Sequence, residues 1–232
     1  MKTRALRSFA GISILCVGVA SGCRDANPDQ TLGERRAAMA TPDTLERIIA
    51  TARDAASQGQ TEKAEAVLRE AAETYPHDQA IRLAYGDLLF RLERREAALR
   101  QYEAALEIGP PIARVLFQAG MAARLTGDEQ VARERLTRAA RTDPTHVDAA
   151  LQAAIALLDA GELERAAAHA QRATLLDDGR ATAWGTLAEI ELRRGDAEAA
   201  LKAARNAREI EPGQEAWEII ERRARRKISQ SQ

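Results

Sequence analysis

Few side chains in this 232-residue chain are chemically reactive: two thiols, Cys16 and Cys23, and three imidazoles, His77, His146 and His169. A zinc site needs Cys and His ligands gathered at short spacings. No two of these histidines stand at such a spacing. His77 follows a proline, His146 falls near another, and His169 has alanine neighbours. Carboxylates are plentiful, but no pair is set apart from the charged faces of the surrounding segments. The glycines of "TLGERR" and "GPP" lack the strand-then-helix setting that a phosphate-binding loop requires. The chain therefore reads as a non-enzyme, with no catalytic residues, cofactor, metal or small-molecule substrate. The balance of 34 Lys+Arg against 35 Asp+Glu gives no general attraction to nucleic acid.

Of the five, only Cys23 has a distinctive setting. Lys2, Arg4 and Arg7 make a positive start, and Phe9 to Ala20 is an uncharged, mostly apolar run. Ala20, Ser21 and Gly22 are small, and Cys23 follows. This is the layout of an export signal. The run is too short to cross a bilayer, which takes about 20 apolar residues. The small-small-Cys ending resembles the lipobox of bacterial lipoproteins, although Ala20 stands where leucine is more usual. The resemblance implies a signal peptide over 1–22, cleavage before Cys23, and acyl chains such as palmitate on Cys23. It places the chain in the cell envelope as a lipid-anchored protein facing the periplasm, and Arg24 after the cysteine favours the outer membrane. Ordinary secretion, with Cys23 left as a free thiol, is the other reading.

Loss of Cys16 with the signal and acylation of Cys23 would leave no disulfide in the mature chain, so its core must hold it together. Removing Lys2, Arg4 and Arg7 leaves 31 basic against 35 acidic side chains, a net of −4. Residues 23–43 carry Pro28, Gly33 and Pro42 among polar residues without an apolar period. They read as a flexible tether with a reach of roughly 25 Å.

From Thr44 onward the chain repeats. Prolines 76, 110 and 144 are spaced by 34, and Pro212 falls in the same phase after position 178 is skipped. In the same register, Ala64, Ala98, Ala132, Ala166 and Ala200 form one column, and Ala71, Ala105, Ala139, Ala173 and Ala207 another. Ala52, Gly86, Gly120, Ala154 and Ala188 are small in every row. Gly59, Gly127, Gly161 and Gly195 form a turn column that Glu93 alone interrupts. Each unit thus predicts a helix, a left-handed turn at the glycine, a second helix, and a stop at the proline. The small columns allow the two helices to approach closely. Ile48, Leu68, Leu116, Leu136, Trp184 and Leu187 fill the space between them.

The stretch "AWGTLAEIELRRGDAEAALKAARNAREIEP", with Trp184, Leu187, Ala188, Gly195, Ala200, Ala207 and Pro212, resembles the tetratricopeptide (TPR) repeat. The resemblance implies an all-α fold: a right-handed superhelical solenoid of about five helix-turn-helix repeats, 44–78, 79–112, 113–146, 147–180 and 181–212. The tail, 213–232, breaks the period. Trp217, Ile220, Ala224 and Ile228 recur at helical spacing, with Glu218–Arg222 or Glu221–Arg225 on the polar side, which fits a helix capping the last repeat. Its cluster Arg222, Arg223, Arg225, Arg226 and Lys227 is either solvated or a contact for lipid head groups or an acidic partner.

In the family, ligands lie along the concave face lined by first helices. The first-helix columns are Ile49–Leu83–Phe117–Leu151–Gly185, Arg53–Asp87–Met121–Ile155–Glu189 and Ala56–Phe90–Arg124–Leu158–Leu192. They place a strip of Leu83, Phe90, Phe117, Met121, Leu151, Ile155 and Leu158 there, bordered by Asp87, Arg114, Arg124, Asp148 and Asp159. The lysine and asparagine that clamp a terminal carboxylate in the chaperone-binding subgroup do not occur in these columns. The strip is either a groove for a protein or peptide partner or internal packing of a tight superhelix. The implied function is a membrane-anchored scaffold in cell-envelope complex assembly, for example of pili or secretion channels. A periplasmic chaperone or adaptor for unfolded clients or cell-wall enzymes is the rival, and an enzyme the third class.

Overall fold

The computed structural model describes residues 41–230. The segments expected to be an export signal and a tether, with Cys23, fall in residues 1–40, outside the described residues. Eleven α-helices and no strands make up the described part. They pair as α1 (Pro42–Ser57) with α2 (Thr61–Thr74), α3 (Gln79–Arg91) with α4 (Arg95–Ile108), and α5 (Ala113–Thr126) with α6 (Glu129–Thr142). α7 (Val147–Asp159) pairs with α8 (Leu163–Leu176), and α9 (Ala181–Arg194) with α10 (Ala197–Ile210). The last helix, α11 (Glu215–Gln230), stands alone. The second helices begin at 61, 95, 129, 163 and 197, one every 34 residues. This is the expected all-α solenoid of five helix pairs and a final helix.

The turn inside each pair is a left-handed residue. Gly59, Gly127, Gly161 and Gly195 have φ between 75° and 94°, and Glu93 is held at φ 59° in the same place. The amide just after the turn donates back to a carbonyl five residues earlier, as Gln60 to Ala55 (2.9 Å), Arg94 to Leu89 (3.0 Å) and Asp128 to Ala123 (2.9 Å). That bond closes a Schellman motif and satisfies a carbonyl the first helix leaves open. The next helix then starts on an acidic cap in two pairs, with Asp128 accepting from Val131 and Asp196 from Ala199.

The alanine columns are the seam between paired helices. Ala64, Ala98, Ala132, Ala166 and Ala200 are fully buried, and Ala105, Ala139, Ala173 and Ala207 likewise. The small column has a steric cause: a Cβ on Gly86 would lie 2.6 Å from the Tyr102 ring, and one on Gly120 would lie 2.7 Å from Leu136. Of the expected fillers, Leu68, Leu116, Leu136 and Leu187 are buried, while Ile48 and Trp184 are half-buried. The fourth pair ends at the expected phase without a proline. There the Trp184 indole donates to the Asp178 carbonyl at 2.8 Å, and Arg180 pairs with Asp177 at 3.0 Å.

Each second helix packs on the first helix of the next pair. First helices also touch across pairs, α1 with α3, α3 with α5, α7 with α9 and α9 with α11, while successive second helices make no comparable contact. The first helices therefore line the inner curve.

The final helix takes the place of the next first helix, packing on α9 and α10. Ile220 and Ala224 are buried, and the Trp217 ring sits where a side chain on Gly185 would be, 2.0 Å from an ideal Cβ there. The sequence reading put Glu221 on the polar side of α11; the structure instead leaves it only 3% exposed. It is buried because guanidinium groups from two helices reach it: Arg205 (3.5 Å) and Arg208 (2.8 Å) from α10, and Arg225 (2.5 Å) from α11 itself. In the basic cluster, Arg223 pairs with Glu189 at 2.9 Å and Lys227 donates to the Leu192 carbonyl at 3.0 Å. Arg222 and Arg226 are exposed.

Candidate functional site

Where α1, α3 and α5 line the inner curve, they enclose an open cavity of about 610 Å³. Helical spacing sets its lining, since residues three and four apart share a face. α3 contributes Ala84, Asp87, Leu88 and Arg91, α1 contributes Ile49, Ala52 and Arg53, and α5 contributes Arg114 and Gln118. Ile49, Ala52, Leu68, Ala84 and Leu88 are buried and make an apolar floor. Arg53, Arg91 and Arg114 are exposed at the rim, with Phe90, Asp87 and Gln118 half-buried beside them.

Tyr102 of α4 reaches this floor from behind. Gly86 has no side chain to block it, and the phenol is fully buried. Its hydroxyl donates to Asp87 Oδ1 at 3.1 Å, and Arg114 donates to Asp87 Oδ2 at 2.6 Å. Burial, then the charge and hydrogen bond of Asp87, push the phenol well above its ordinary pKa, so it stays a donor. Both Asp87 oxygens are thus occupied from within the fold.

The residues expected from sequence divide by depth. Asp87, Phe90 and Arg114 line the cavity. Leu83 and Phe90 are half-buried against the core around Tyr102. Phe117 and Met121 are half-buried against Leu116 and Ala153, and the Phe117 ring lies 5.0 Å from the His146 imidazole. Ile155 is half-buried, and Arg124 donates to Gln152. Leu151 and Leu158 are 5% and 7% exposed, so they are packed inside rather than presented. Asp148 is paired with Arg180, and Asp159 is exposed.

The cavity lies over the first three pairs, one pair nearer the amino terminus than the expected strip over the second to fourth. Its lining adds Ile49, Arg53, Arg91 and Gln118. Arg53 already stood in a first-helix column; Arg91 is one turn beyond Asp87, and that spacing was the signal for it.

Two of the three histidines have structural settings. His146 caps α7, its Nδ1 accepting from the Ala149 amide at 3.2 Å. His169 lies 3.0 Å from Arg172, and burial with the charges of Arg172, Arg165 and Arg141 lowers its pKa to about 4. His77 is exposed. Among the described residues no three His, Cys, Asp or Glu side chains gather as a metal site. No described helix is long and apolar enough to cross a membrane.

Stacked helix pairs with a lined inner curve define an α-solenoid. The tetratricopeptide repeat family model matches residues 55–122 and again 123–190, more than half of the sequence, and the chain belongs to that family. No curated protein matches it. Among solved structures it is similar to YrrB, "a TPR protein with an unusual peptide-binding site", at 20% identity and a TM-score of 0.71. That match covers 84% of this chain and 98% of YrrB. It is also similar to MamA 41-end from Desulfovibrio magneticus RS-1, at 19% identity and a TM-score of 0.65, over 75% of this chain and 99% of that one. At these identities the likeness concerns the fold.

Proposed function

We propose that this chain is an exported, lipid-tethered scaffold that holds a segment of a partner protein on the inner curve of its repeats, within a cell-envelope assembly. The observation that carries the reading is the cavity over α1, α3 and α5. It combines an apolar floor with a half-exposed aromatic, Phe90, and polar groups on rigid helices. Such a lining suits a peptide or helix laid into a groove. The half-buried Leu83, Phe117, Met121 and Ile155, with Arg124, extend the track past the cavity, while Leu151 and Leu158 serve to stiffen it. The peptide-binding site named for YrrB is in keeping with this use of the fold. The signal-like start and Cys23 support export and acylation, with the acyl chains adding about 0.8 kcal/mol of membrane affinity per buried methylene.

A photo-crosslinking residue at Gln118 in cells of the source organism tests the groove. Crosslinks to a protein partner that disappear with Phe90→Glu support it; a crosslink pattern indifferent to Phe90→Glu refutes it. Radiolabelled palmitate tests the tether separately. Label lost with Cys23→Ser supports acylation, and label retained by that variant, or absent from the wild type, refutes it.

A further inference from the structure

Resting on the groove reading, the chemistry of the occupant follows from the charge left over at the rim. Three arginines and one carboxylate line the cavity. The carboxylate is spent: Asp87 accepts from Tyr102 on one oxygen and from Arg114 on the other. Arg53 and Arg91 are exposed and have no partner among the described residues. They stand on two different first helices, α1 and α3, with buried Ile49, Ala52, Ala84 and Leu88 beneath them. Two guanidinium groups without a partner among the described residues thus face a concavity whose floor is apolar.

An isolated surface arginine is simply solvated. At the mouth of a cavity with low-dielectric walls, charges of one sign focus their field on whatever enters. A guanidinium matches a carboxylate in a paired, planar geometry, and each such pair gains strength when water is displaced from beside it. A basic segment would meet repulsion here, and a neutral one would leave both charges partly desolvated without partners.

We propose that the groove of the first three repeats takes an acidic segment of a partner protein. Two of its carboxylates pair with Arg53 and Arg91, and an intervening apolar side chain lies against Phe90 and the floor. Recognition is by side-chain carboxylates, so it does not need the partner's chain terminus. No imidazole lines the cavity, so binding is insensitive to pH between about 6 and 9 and weakens with salt.

Selection of a random dodecapeptide library on the full chain tests this, with one enriched sequence then made as a capped, fluorescein-labelled peptide for polarisation titrations. The proposal expects enriched peptides to carry at least two acidic residues flanking an apolar one. It also expects the Arg53→Glu/Arg91→Glu variant, whose changes are confined to exposed side chains, to bind the labelled peptide at least about tenfold more weakly. Circular dichroism checks that the variant remains folded. Enrichment of neutral or basic peptides that Phe90→Glu abolishes would overturn the acidic assignment and leave the groove standing. Enrichment unaffected by any of these changes, or no enrichment, would overturn both.

Discussion

Replacing Glu221 by glutamine isolates the device that holds the last helix in place. The carboxylate is 3% exposed and meets Arg205, Arg208 and Arg225, whose side chains are 49%, 43% and 59% exposed. Removing one partner of a fully buried ion pair costs about 3–5 kcal/mol, because the other charge is stranded. Here the three cations are half in water and rehydrate, so the loss lies nearer the surface-pair range of about 0.2–1 kcal/mol for each. Three such pairs, less the carboxylate desolvation no longer incurred, give about 1–2 kcal/mol. A solenoid is coupled mainly between neighbours, so the loss should be local. α11 should open roughly 5- to 30-fold more often while α1 to α8 keep their protection. Hydrogen exchange read by mass spectrometry over 213–230 measures this, and Trp217 fluorescence reports the same release. Acid should reproduce it in the wild type. Burial pushes the Glu221 carboxyl up, but the hydrogen bond from Arg225 and the charges of Arg208 and Arg225 outweigh it and hold its pKa below the ordinary value. A depressed folded pKa contributes stability that is present above the unfolded value near 4.5 and lost as pH falls through the folded one. The wild-type α11 should therefore loosen below about pH 4.5, and Glu221→Gln should remove most of that dependence. Unchanged exchange over α11 in Glu221→Gln, or equal loss of protection in every helix, would refute the reasoning.

Glu93 is the one non-glycine residue in the left-handed turn column, at φ 59°. That conformation costs about 1–2 kcal/mol for a residue with a Cβ, and glycine returns about 0.5–1 kcal/mol through its freer unfolded chain. Glu93→Gly should thus stabilise by about 0.5–1 kcal/mol and raise the melting temperature by a few degrees; a lower melting temperature would contradict the turn assignment. His169, with its pKa lowered to about 4, should show imidazole NMR shifts that stay constant from pH 8 to 5 and move only below. The unfolded histidine takes up a proton near 6.5, so stability should fall as pH drops from about 6.5 towards 4, and His169→Gln should flatten that slope. A His169 resonance titrating near 6.5 would exclude the buried, arginine-flanked setting.

The repeat was legible because close packing constrains side-chain size at a fixed phase. Gly86 must be small since Tyr102 occupies the space its Cβ would fill, and Ala98 is fully buried in the same seam. Where a marker residue is missing, the neighbours still impose the geometry: Glu93 adopts the glycine conformation, and α8 stops at Leu176 without a proline. Depth along the inner curve is a different quantity. It depends on what the adjacent pair brings, which a column read down one helix does not contain. α7 is rich in alanine, so its neighbours come close: Leu151 joins Ala150, Ala173 and Ala183 in one buried cluster, and Leu158 packs with Ala188 and Leu192. Over α1, α3 and α5 the opposing residues leave a hollow, and Arg53 and Arg91 stand around it instead of covering it. Glu221 was misplaced for the same reason. On α11 alone it belongs to the charged face, and only the arginines that α10 carries at 205 and 208 make burial of a carboxylate tolerable there. In a solenoid, then, phase is a property of one repeat, whereas exposure and charge balance are properties of the junction between two, and the cavity over α1, α3 and α5 is a junction feature.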